Sequence, residues 1–211
     1  MIYELRTYSF APGKLPEYLR LAEEVGTKIR GDNYGRRVGS WVAEIGALNQ
    51  VWHLWAYESL DERARLRAAL QQNRAWTEEF VARIQPLLTR QEIRFMNPVR
   101  GPNPPADRGH IYELRIYRCH IGKAKPWLDR FTGVMPVREK YSPNVGIWHC
   151  ESPDPHTVAH LWAYKDLNDR ARARGAALQD PEWQAFLGQA SPLLAEMQSV
   201  VLLPTAFSPM G

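Results

Sequence analysis

Two histidines stand in almost the same seven-residue word of this sequence. His53 lies in VWHLWAY at residues 51–57, and His160 lies in VAHLWAY at residues 158–164. The imidazole group exchanges protons near neutral pH, and the tryptophan and tyrosine that follow it can stack on a planar ligand. Each word is therefore a candidate site for acid–base chemistry or for binding a small molecule.

A second repeated word brings carboxylate and guanidinium groups. It reads IYELRTY at residues 2–8 and IYELRIY at residues 111–117. A carboxylate beside a guanidinium group can act as a base or orient a neighbour, and the guanidinium group favours an anionic or carbonyl-bearing compound. The candidate residues are Glu4, Glu113, Arg6 and Arg115.

Strand periodicity gathers these groups on one face of a sheet, because alternate side chains of an extended chain point to the same side. The polar face comprises Glu4, Arg6, Tyr8, His53, Trp55 and Tyr57, and in the second half Glu113, Arg115, Tyr117, His160, Trp162 and Tyr164. We expect the apolar face to pack against helices and the polar face to line the space between two sheets. The histidines and glutamates are the predicted catalytic residues, and the arginines, tyrosines and tryptophans are the predicted ligand-binding residues.

A structural role is the competing interpretation of the same residues. The glutamate–arginine pairs could be cross-strand ion pairs, and each histidine could be satisfied by a tyrosine hydroxyl or a backbone carbonyl. Duplication favours this interpretation, because a residue that serves architecture is needed in both halves whereas a catalytic residue is needed once. Both interpretations stay open at the level of the sequence.

Differences between the halves are the better indication of function. His149 replaces Val42, and Cys119 has no counterpart in the first half. We therefore expect any chemistry to lie in the second half, and His149 joins the predicted ligand-binding residues. A metal site of His149, His160 and Glu151 is disfavoured because no HxxxH or similar spacing supports it. The Cys119 thiol has no identified base beside it.

The repeated words mark two copies of one series of elements, at offsets of 109 and 107 residues. In the first half, periodicity and turn residues predict strands at 2–9, 36–45, 50–57 and 90–97, with helices at 14–29 and at 60–84, the latter broken near Asn73. In the second half, they predict strands at 111–118, 145–151, 157–164 and 196–203, with helices at 123–140 and 167–189. Each half therefore has the order βαββαβ, which is that of a ferredoxin-like repeat.

The predicted fold class is α+β, with two tandem ferredoxin-like repeats that form a dimeric α+β barrel within one chain. The predicted domains are residues 1–98 and residues 110–207. Between them, residues 99–109 form a linker rich in proline and glycine, which we expect to be extended and semi-rigid.

The repeated words also resemble those of a known family. YELRTY and YELRIY, together with HLWAY followed by a Leu-x-x-Arg helix start and by Trp76 or Trp183, are similar to the NIPSNAP family. The resemblance covers almost the whole chain in two copies and implies dimeric α+β barrel domains with a cavity. Families similar in architecture alone include cofactor-free monooxygenases, lactone isomerases, haem-dependent enzymes and ligand binders. Some animal members of the resembled family are mitochondrial proteins associated with trafficking and mitophagy.

Composition excludes several classes of function. The net charge of +4 comes from arginines scattered along both halves, and the runs at residues 63–67 and 170–174 are expected to be solvated helix faces, so no nucleic-acid partner is predicted. The two cysteines form no CxxC pair, and no apolar run or signal region is present, which predicts a cytoplasmic protein without a membrane partner. Without a phosphate loop, nucleophile elbow or HExxH word, no cofactor and no metal are predicted.

Two hypotheses about function remain. The first is a barrel that binds a small anionic or aromatic metabolite in its lumen, with cofactor-independent oxygenase, isomerase or lyase activity as a further step. The alternative is a non-catalytic interaction or scaffold protein, and the sequence leaves open whether the protein is an enzyme. A homodimer is expected because sheet edges of this kind often associate further.

Overall fold

Two compact units make up the protein, whose computed structural model describes all 211 residues. Unit 1 comprises Met1–Met96 together with Leu203–Gly211, and unit 2 comprises Asn97–Leu202. The C-terminal segment thus belongs with the first half of the chain in space. The predicted domain boundaries, 1–98 and 110–207, stay a prediction.

The elements of the first half follow the predicted order. They are strand β1 (Ile2–Phe10), helix α1 (Leu15–Leu21, Ala22–Gly26 and Thr27–Arg30), strands β2 (Arg36–Ile45) and β3 (Gln50–Tyr57), helices α2 (Leu60–Gln72) and α3 (Ala75–Val81 and Ala82–Ile84), and strand β4 (Leu88–Arg100). The Ser59 side chain caps α2 by accepting a hydrogen bond from the Glu62 amide. The predicted break near Asn73 is confirmed, because Asn73 adopts an extended backbone that ends α2.

The second half repeats this series. Its elements are strand β5 (Ile111–Cys119), helix α4 (Ala124–Arg138), strands β6 (Asn144–Ser152) and β7 (Thr157–Tyr164), helices α5 (Leu167–Ala177) and α6 (Pro181–Ala190), and strand β8 (Leu194–Pro204). The single helix predicted at 167–189 is wrong, because Asp180 caps a new helix whose first residue is Pro181. A proline at that position lacks the amide hydrogen that a continuing helix would need.

Each half has the strand pairing of a ferredoxin-like sheet. Strand β1 pairs with β3 and β4, and β5 pairs with β7 and β8. The hydrogen-bonded strand order is that of a closed barrel, β1-β3-β2-β8-β5-β7-β6-β4, so the predicted fold class is confirmed. The registers place Arg6 opposite His53 and Arg115 opposite His160, which brings the two repeated words together in each half.

The polar face of each sheet packs against the helices, and our prediction for its direction was wrong. Helix α1 places the Tyr18 hydroxyl on His53, and helix α2 places Arg63 on the carboxylate of Glu4. In the second half, helix α5 places Arg170 on Glu113. Arginines and hydroxyls on the helices contact this face of the sheet. The glutamates of the sheet are therefore buried with hydrogen-bonded partners.

The opposite face of each sheet carries the apolar residues and is also buried. Residues on it with at most 4% of their surface exposed are Tyr3, Leu5, Leu54, Tyr112, Leu114 and Leu161. Aliphatic and aromatic groups can be buried there at no cost in lost hydrogen bonds. Burial of a polar group without a hydrogen-bond partner is unfavourable. None of the helices has the length and apolar character required to cross a bilayer.

Candidate functional site

In unit 1, both ring nitrogens of His53 have side-chain partners. The Tyr18 hydroxyl lies 2.8 Å from Nε2, and the Ser40 hydroxyl lies 2.7 Å from Nδ1. Burial lowers the pKa of His53 well below its usual value, and the charges of Arg37, Arg6 and Arg30 lower it further. His53 is therefore a neutral, fully hydrogen-bonded group, as the structural interpretation expects.

In unit 2, His160 has only one such partner. Its Nδ1 accepts a hydrogen bond of 2.6 Å from the indole Nε1–H of Trp162, while its Nε2 is buried without a partner. Burial, followed by the charge of Arg115, lowers the pKa of His160 well below its usual value, so the ring is neutral. Because Nδ1 is the acceptor, the single proton lies on Nε2. His160 therefore has a hydrogen-bond donor without an acceptor.

Two exchanges in sequence explain why the histidines differ. Ser40 pairs with His53 across β2 and β3, and its counterpart opposite His160 is Ile147 on β6. On the first helix of the second half, Trp127 takes the place of Tyr18 and packs over His160, with ring centroids 5.9 Å apart. Tryptophan and isoleucine thus replace the two hydroxyls that bond to His53. Neither side chain can accept a hydrogen bond from His160 Nε2.

A buried arginine at the end of the first helix of each half is the main feature that sequence reasoning missed. Arg138 is 3% exposed, donates hydrogen bonds to the Ser142 and Tyr164 hydroxyls, and lies 4.5 Å from the ring centre of Trp162. No carboxylate lies within ion-pair distance of it. Its counterpart in the first half is Arg30, which lies 108 residues earlier in the sequence. A full alignment of the two halves could have detected this pair.

Arg30 occupies the same place in unit 1. It donates to the Tyr57 hydroxyl at 3.0 Å and lies 3.4 Å from the ring centre of Trp55. Burial lowers the pKa of Arg30 to about 10, so the group is still charged at neutral pH. Both units therefore bury a guanidinium group against aromatic rings and hydroxyls.

The two predicted catalytic glutamates are held as ion-pair partners. Glu113 is fully buried and accepts hydrogen bonds from Arg115, Arg170 and Ser199 at 2.8, 2.7 and 2.6 Å. Burial tends to raise its pKa, but the Arg170 hydrogen bond and the Arg115 charge outweigh burial and lower the pKa to about 2. Glu4 likewise binds Arg6 and Arg63. With its low pKa, Glu113 is a poor proton acceptor at neutral pH.

The arginine runs of the second helices are only partly solvated, in contrast to our prediction. Arg63 and Arg170 reach the buried glutamates, and the partly exposed Arg174 lies 3.7 Å from Glu113. Arg172 is a surface residue paired with Asp169. The first and third arginine of the second run therefore face the sheet, as positions four residues apart on a helix should.

A cavity of about 130 Å³ lies in unit 2, between the polar face of the sheet and helices α4, α5 and α6. Its polar lining comprises Arg115, Arg138, Arg174, Tyr117, His160 and Ser191. Its aromatic walls are Trp127, Phe131, Trp162, Trp183 and Phe186. The corresponding space in unit 1 measures only about 30 Å³. The asymmetry between the halves therefore extends from the histidines to the space beside them.

The structure brings most, but not all, of the predicted site residues of the second half to this cavity. Tyr164 lies behind the lining as a partner of Arg138. His149 and Glu113 are not part of the lining; His149 Nε2 lies 2.8 Å from the Pro155 carbonyl oxygen, and its ligand-binding role stays a prediction. Cys119 belongs to the apolar core, and burial raises the pKa of its thiol to about 11.

Comparison with known proteins identifies the family. The NIPSNAP family model matches residues 3–101 and again residues 112–209. The chain belongs to the NIPSNAP family. A NipSnap homolog from Dictyostelium discoideum is 30% identical over 210 residues, which cover 96% of this chain and 87% of that protein. NipSnap homolog 3A from Homo sapiens is 30% identical over 215 residues, which cover 100% of this chain and 86% of the human protein.

Solved structures show the same fold in more distant proteins. A candidate monooxygenase from Lactobacillus acidophilus NCFM aligns with a TM-score of 0.70 at 12% identity, covering 100% of this chain and 96% of that one. An anthrone oxidase-like protein aligns with a TM-score of 0.64 at 11% identity, covering 95% and 90%. At these identities the likeness concerns the fold of the NIPSNAP chain and not its chemistry.

Replacing Glu113 with Gln should change how stability depends on pH. The pKa of Glu113 falls from an ordinary value of 4.5 to about 2 on folding, so its stabilisation is present above pH 4.5 and is lost as the pH falls towards 2. We expect the wild type to lose roughly 3 kcal/mol more than Glu113→Gln over this range in urea unfolding. The surface variant Glu196→Gln should follow the wild type more closely. Parallel curves for the wild type and Glu113→Gln would contradict the assignment.

Replacing the two histidines with leucine should have unequal effects on stability. His53→Leu leaves the buried hydroxyls of Tyr18 and Ser40 without their partner, at a cost of about 1–3 kcal/mol for each. His160→Leu removes a single acceptor, that of the Trp162 indole. We expect the larger loss of unfolding free energy for His53→Leu by chemical denaturation. Equal losses would show that the two environments do not differ as described.

The tautomer of His160 can be observed by ¹⁵N NMR. We expect a neutral ring protonated on Nε2 that does not gain a second proton where an ordinary histidine does, since burial and nearby arginines lower its pKa. Trp162→Phe removes the hydrogen bond to Nδ1 and should give a mixture of tautomers. The His53 signals serve as the internal control and should not change in that variant. A wild-type His160 protonated on Nδ1 would contradict the assignment.

Proposed function

We propose that this NIPSNAP protein binds a small anionic molecule with an aromatic body in the cavity of unit 2. The observation that carries the proposal is Arg138, a buried guanidinium group on the cavity wall with no carboxylate partner. Burial without a counter-ion is unfavourable for a charged group, and hydrogen bonds to neutral hydroxyls offset only part of that cost. An anion in the adjacent cavity would supply the missing charge.

The charges around the cavity support an anionic ligand. The cluster contains four guanidinium groups, those of Arg115, Arg138, Arg170 and Arg174, and one carboxylate, that of Glu113. The carboxylate is shared by three of the arginines, so it cannot also neutralise Arg138. In a site of low dielectric constant, this excess of positive charge favours a carboxylate or another oxyanion over a neutral compound.

The walls and the volume favour a single aromatic ring. Six phenylalanine, tyrosine and tryptophan side chains line the cavity, and its volume of about 130 Å³ is close to the roughly 150 Å³ of an engineered apolar cavity that holds benzene. Aromatic rings attract one another in offset or edge-to-face arrangements. A ligand of the size of benzoate therefore combines the charge and the shape that the lining favours.

His160 serves this proposal as a hydrogen-bond donor. Its Nε2 proton has no acceptor in the structure, and a ligand oxygen beside it would remove the cost of that unsatisfied donor. This role replaces the general base of the sequence-based hypothesis, because the proton already occupies the nitrogen that would have to accept one. The ligand's place also changes, from the barrel lumen to the space between sheet and helices.

The oxygenase, isomerase or lyase activity remains a hypothesis beyond binding. Guanidinium groups and an imidazole N–H can stabilise negative charge that develops on an oxygen, as in an enolate. The similarity in fold to a candidate monooxygenase keeps oxygenase chemistry among the hypotheses. Binding of an aromatic carboxylate is the step that all three activities share, so it is the step to test first.

Benzoate is the probe that tests the proposal, by isothermal titration and by quenching of tryptophan fluorescence. We expect a dissociation constant of about 1 mM or tighter, and binding at least about tenfold weaker for the neutral isostere benzamide. Arg138→Met should abolish binding and still fold, because removal of an uncompensated buried charge offsets the cost of leaving the Ser142 and Tyr164 hydroxyls without their donor. Arg130→Met changes an exposed residue of the same helix and should bind as the wild type does.

The outcomes are distinct. Equal affinity for benzoate and benzamide would reject the anionic ligand, and tight benzoate binding by a folded Arg138→Met variant would reject the site. Failure of the wild type to bind any single-ring carboxylate would leave the non-catalytic interaction protein as the better hypothesis.

A further inference from the structure

The C-terminal segment of residues 205–211 closes the pocket of unit 1. It is tied to β2 through Ser40, whose backbone carbonyl accepts a hydrogen bond from the Thr205 amide at 3.0 Å. The backbone amide of Ser40 in turn donates to the Ser208 hydroxyl at 3.0 Å. Between these two attachments lies Phe207, which forms part of the pocket lining.

Phe207 places a ring and a carbonyl oxygen against the polar groups of that pocket. Its ring lies nearly parallel to His53, at 26° with the centroids 6.5 Å apart, and 5.2 Å from the Arg37 guanidinium carbon. Its backbone carbonyl accepts a hydrogen bond from Arg37 at 3.3 Å. An aromatic ring joined to an oxygen acceptor beside a guanidinium group is also the chemistry that we propose for the ligand of unit 2.

The two pockets share much of their walls. Counterparts that line both pockets include the pairs Tyr8 and Tyr117, Tyr18 and Trp127, Arg30 and Arg138, His53 and His160, Trp55 and Trp162, and Trp76 and Trp183. The cavity measures about 130 Å³ in unit 2 and about 30 Å³ in unit 1, where Phe207 is present. Phe207 is thus one reason why the first pocket is small.

Unit 1 also retains unsatisfied positive charge. The guanidinium groups of Arg30 and Arg37 each have a buried Nε–H without an acceptor. Arg30 has no carboxylate partner, and the side chain of Arg37 bonds to the Thr27 hydroxyl and the Phe207 carbonyl. The Asp32 carboxylate bonds to the backbone amide of Arg37, and burial still lowers the pKa of Arg37 despite that charge. A neutral carbonyl compensates a guanidinium charge less well than a carboxylate does. The segment therefore occupies the pocket without supplying the anion that its arginines favour.

We propose that unit 1 contains a second site for a single-ring aromatic carboxylate, and that Phe207 occupies this site as an internal, displaceable ligand. The choice of ligand class rests on the proposed function of unit 2, whereas the existence of the site rests on Phe207, Arg30 and Arg37. Displacement requires that the segment release its hydrogen bonds to Ser40 and Arg37 and that Phe207 leave the apolar residues it packs against. Binding at unit 1 is thereby coupled to detachment of the C-terminal segment.

The stoichiometry of benzoate binding to the full-length protein tests this inference by isothermal titration. We expect one equivalent for the wild type, two for Phe207→Ala, and one for the double variant Arg138→Met/Phe207→Ala, in which only unit 1 can bind. Adding Arg37→Met to the double variant should remove that equivalent. Phe207→Leu refills the space with an apolar side chain and is the matched control, with one equivalent expected.

The segment can also be loosened without creating a cavity. Ser208→Ala removes one attachment to Ser40 and keeps the Phe207 ring. In the Arg138→Met background, where binding to unit 1 is too weak to detect, it should tighten benzoate binding to unit 1 about fivefold and make that binding measurable at high benzoate concentration. This variant keeps the test decisive if Phe207→Ala does not fold. Ser9→Ala, at a hydroxyl that bonds Gln50 at the start of β3, should have no such effect.

The two proposals fail in different ways. One equivalent for a folded Phe207→Ala, with no tightening in Ser208→Ala, overturns the second site and leaves the site in unit 2 intact. Binding by Phe207→Ala but not by the wild type supports the second site and overturns the site in unit 2. Two equivalents for the wild type would show that Phe207 does not close the pocket.

Discussion

Burial of guanidinium groups between sheet and helices is the constraint on which the site depends. Each half has one buried carboxylate, Glu4 or Glu113, and more arginines on the same face than that carboxylate can neutralise. Arg30 and Arg138 are left with hydroxyls and aromatic rings as partners. Burial, together with the resulting positive potential, lowers the pKa of both histidines, and that potential favours an anion wherever space remains.

Each half of the duplicated chain buries arginines between its sheet and its helices. A few residue replacements give the two halves different properties. In unit 1 the histidine is saturated by hydroxyls and the space is occupied by Phe207. In unit 2 tryptophan and isoleucine replace those hydroxyls, and a cavity remains beside an unpaired imidazole N–H. The structural interpretation of the repeated words therefore fits His53, whereas the binding interpretation is our proposal for the cavity beside His160.

The direction of the polar face shows where reasoning from periodicity reaches its limit. Alternation sorted the residues into the correct two sets, and the strand registers confirm that the two words are neighbours. Alternation could not show which of the two sets contacts the helices. That choice depends on which helix side chains point towards the sheet. Arg63, Arg170 and Tyr18 looked like surface or core residues of amphipathic helices, but they are the polar partners of the sheet.

The repeated words, the helical and strand periods and the turn residues were enough to predict the two βαββαβ series, the fold class and the family, because these features depend on neighbours along the chain. They also gathered Arg115, Tyr117, His160 and Trp162 into one candidate site. Only the tertiary structure showed that Arg138 lacks a counter-ion and that Phe207 fills the first pocket. Partners of a buried group come from segments distant in sequence, and the volume left between them depends on how all of those segments pack.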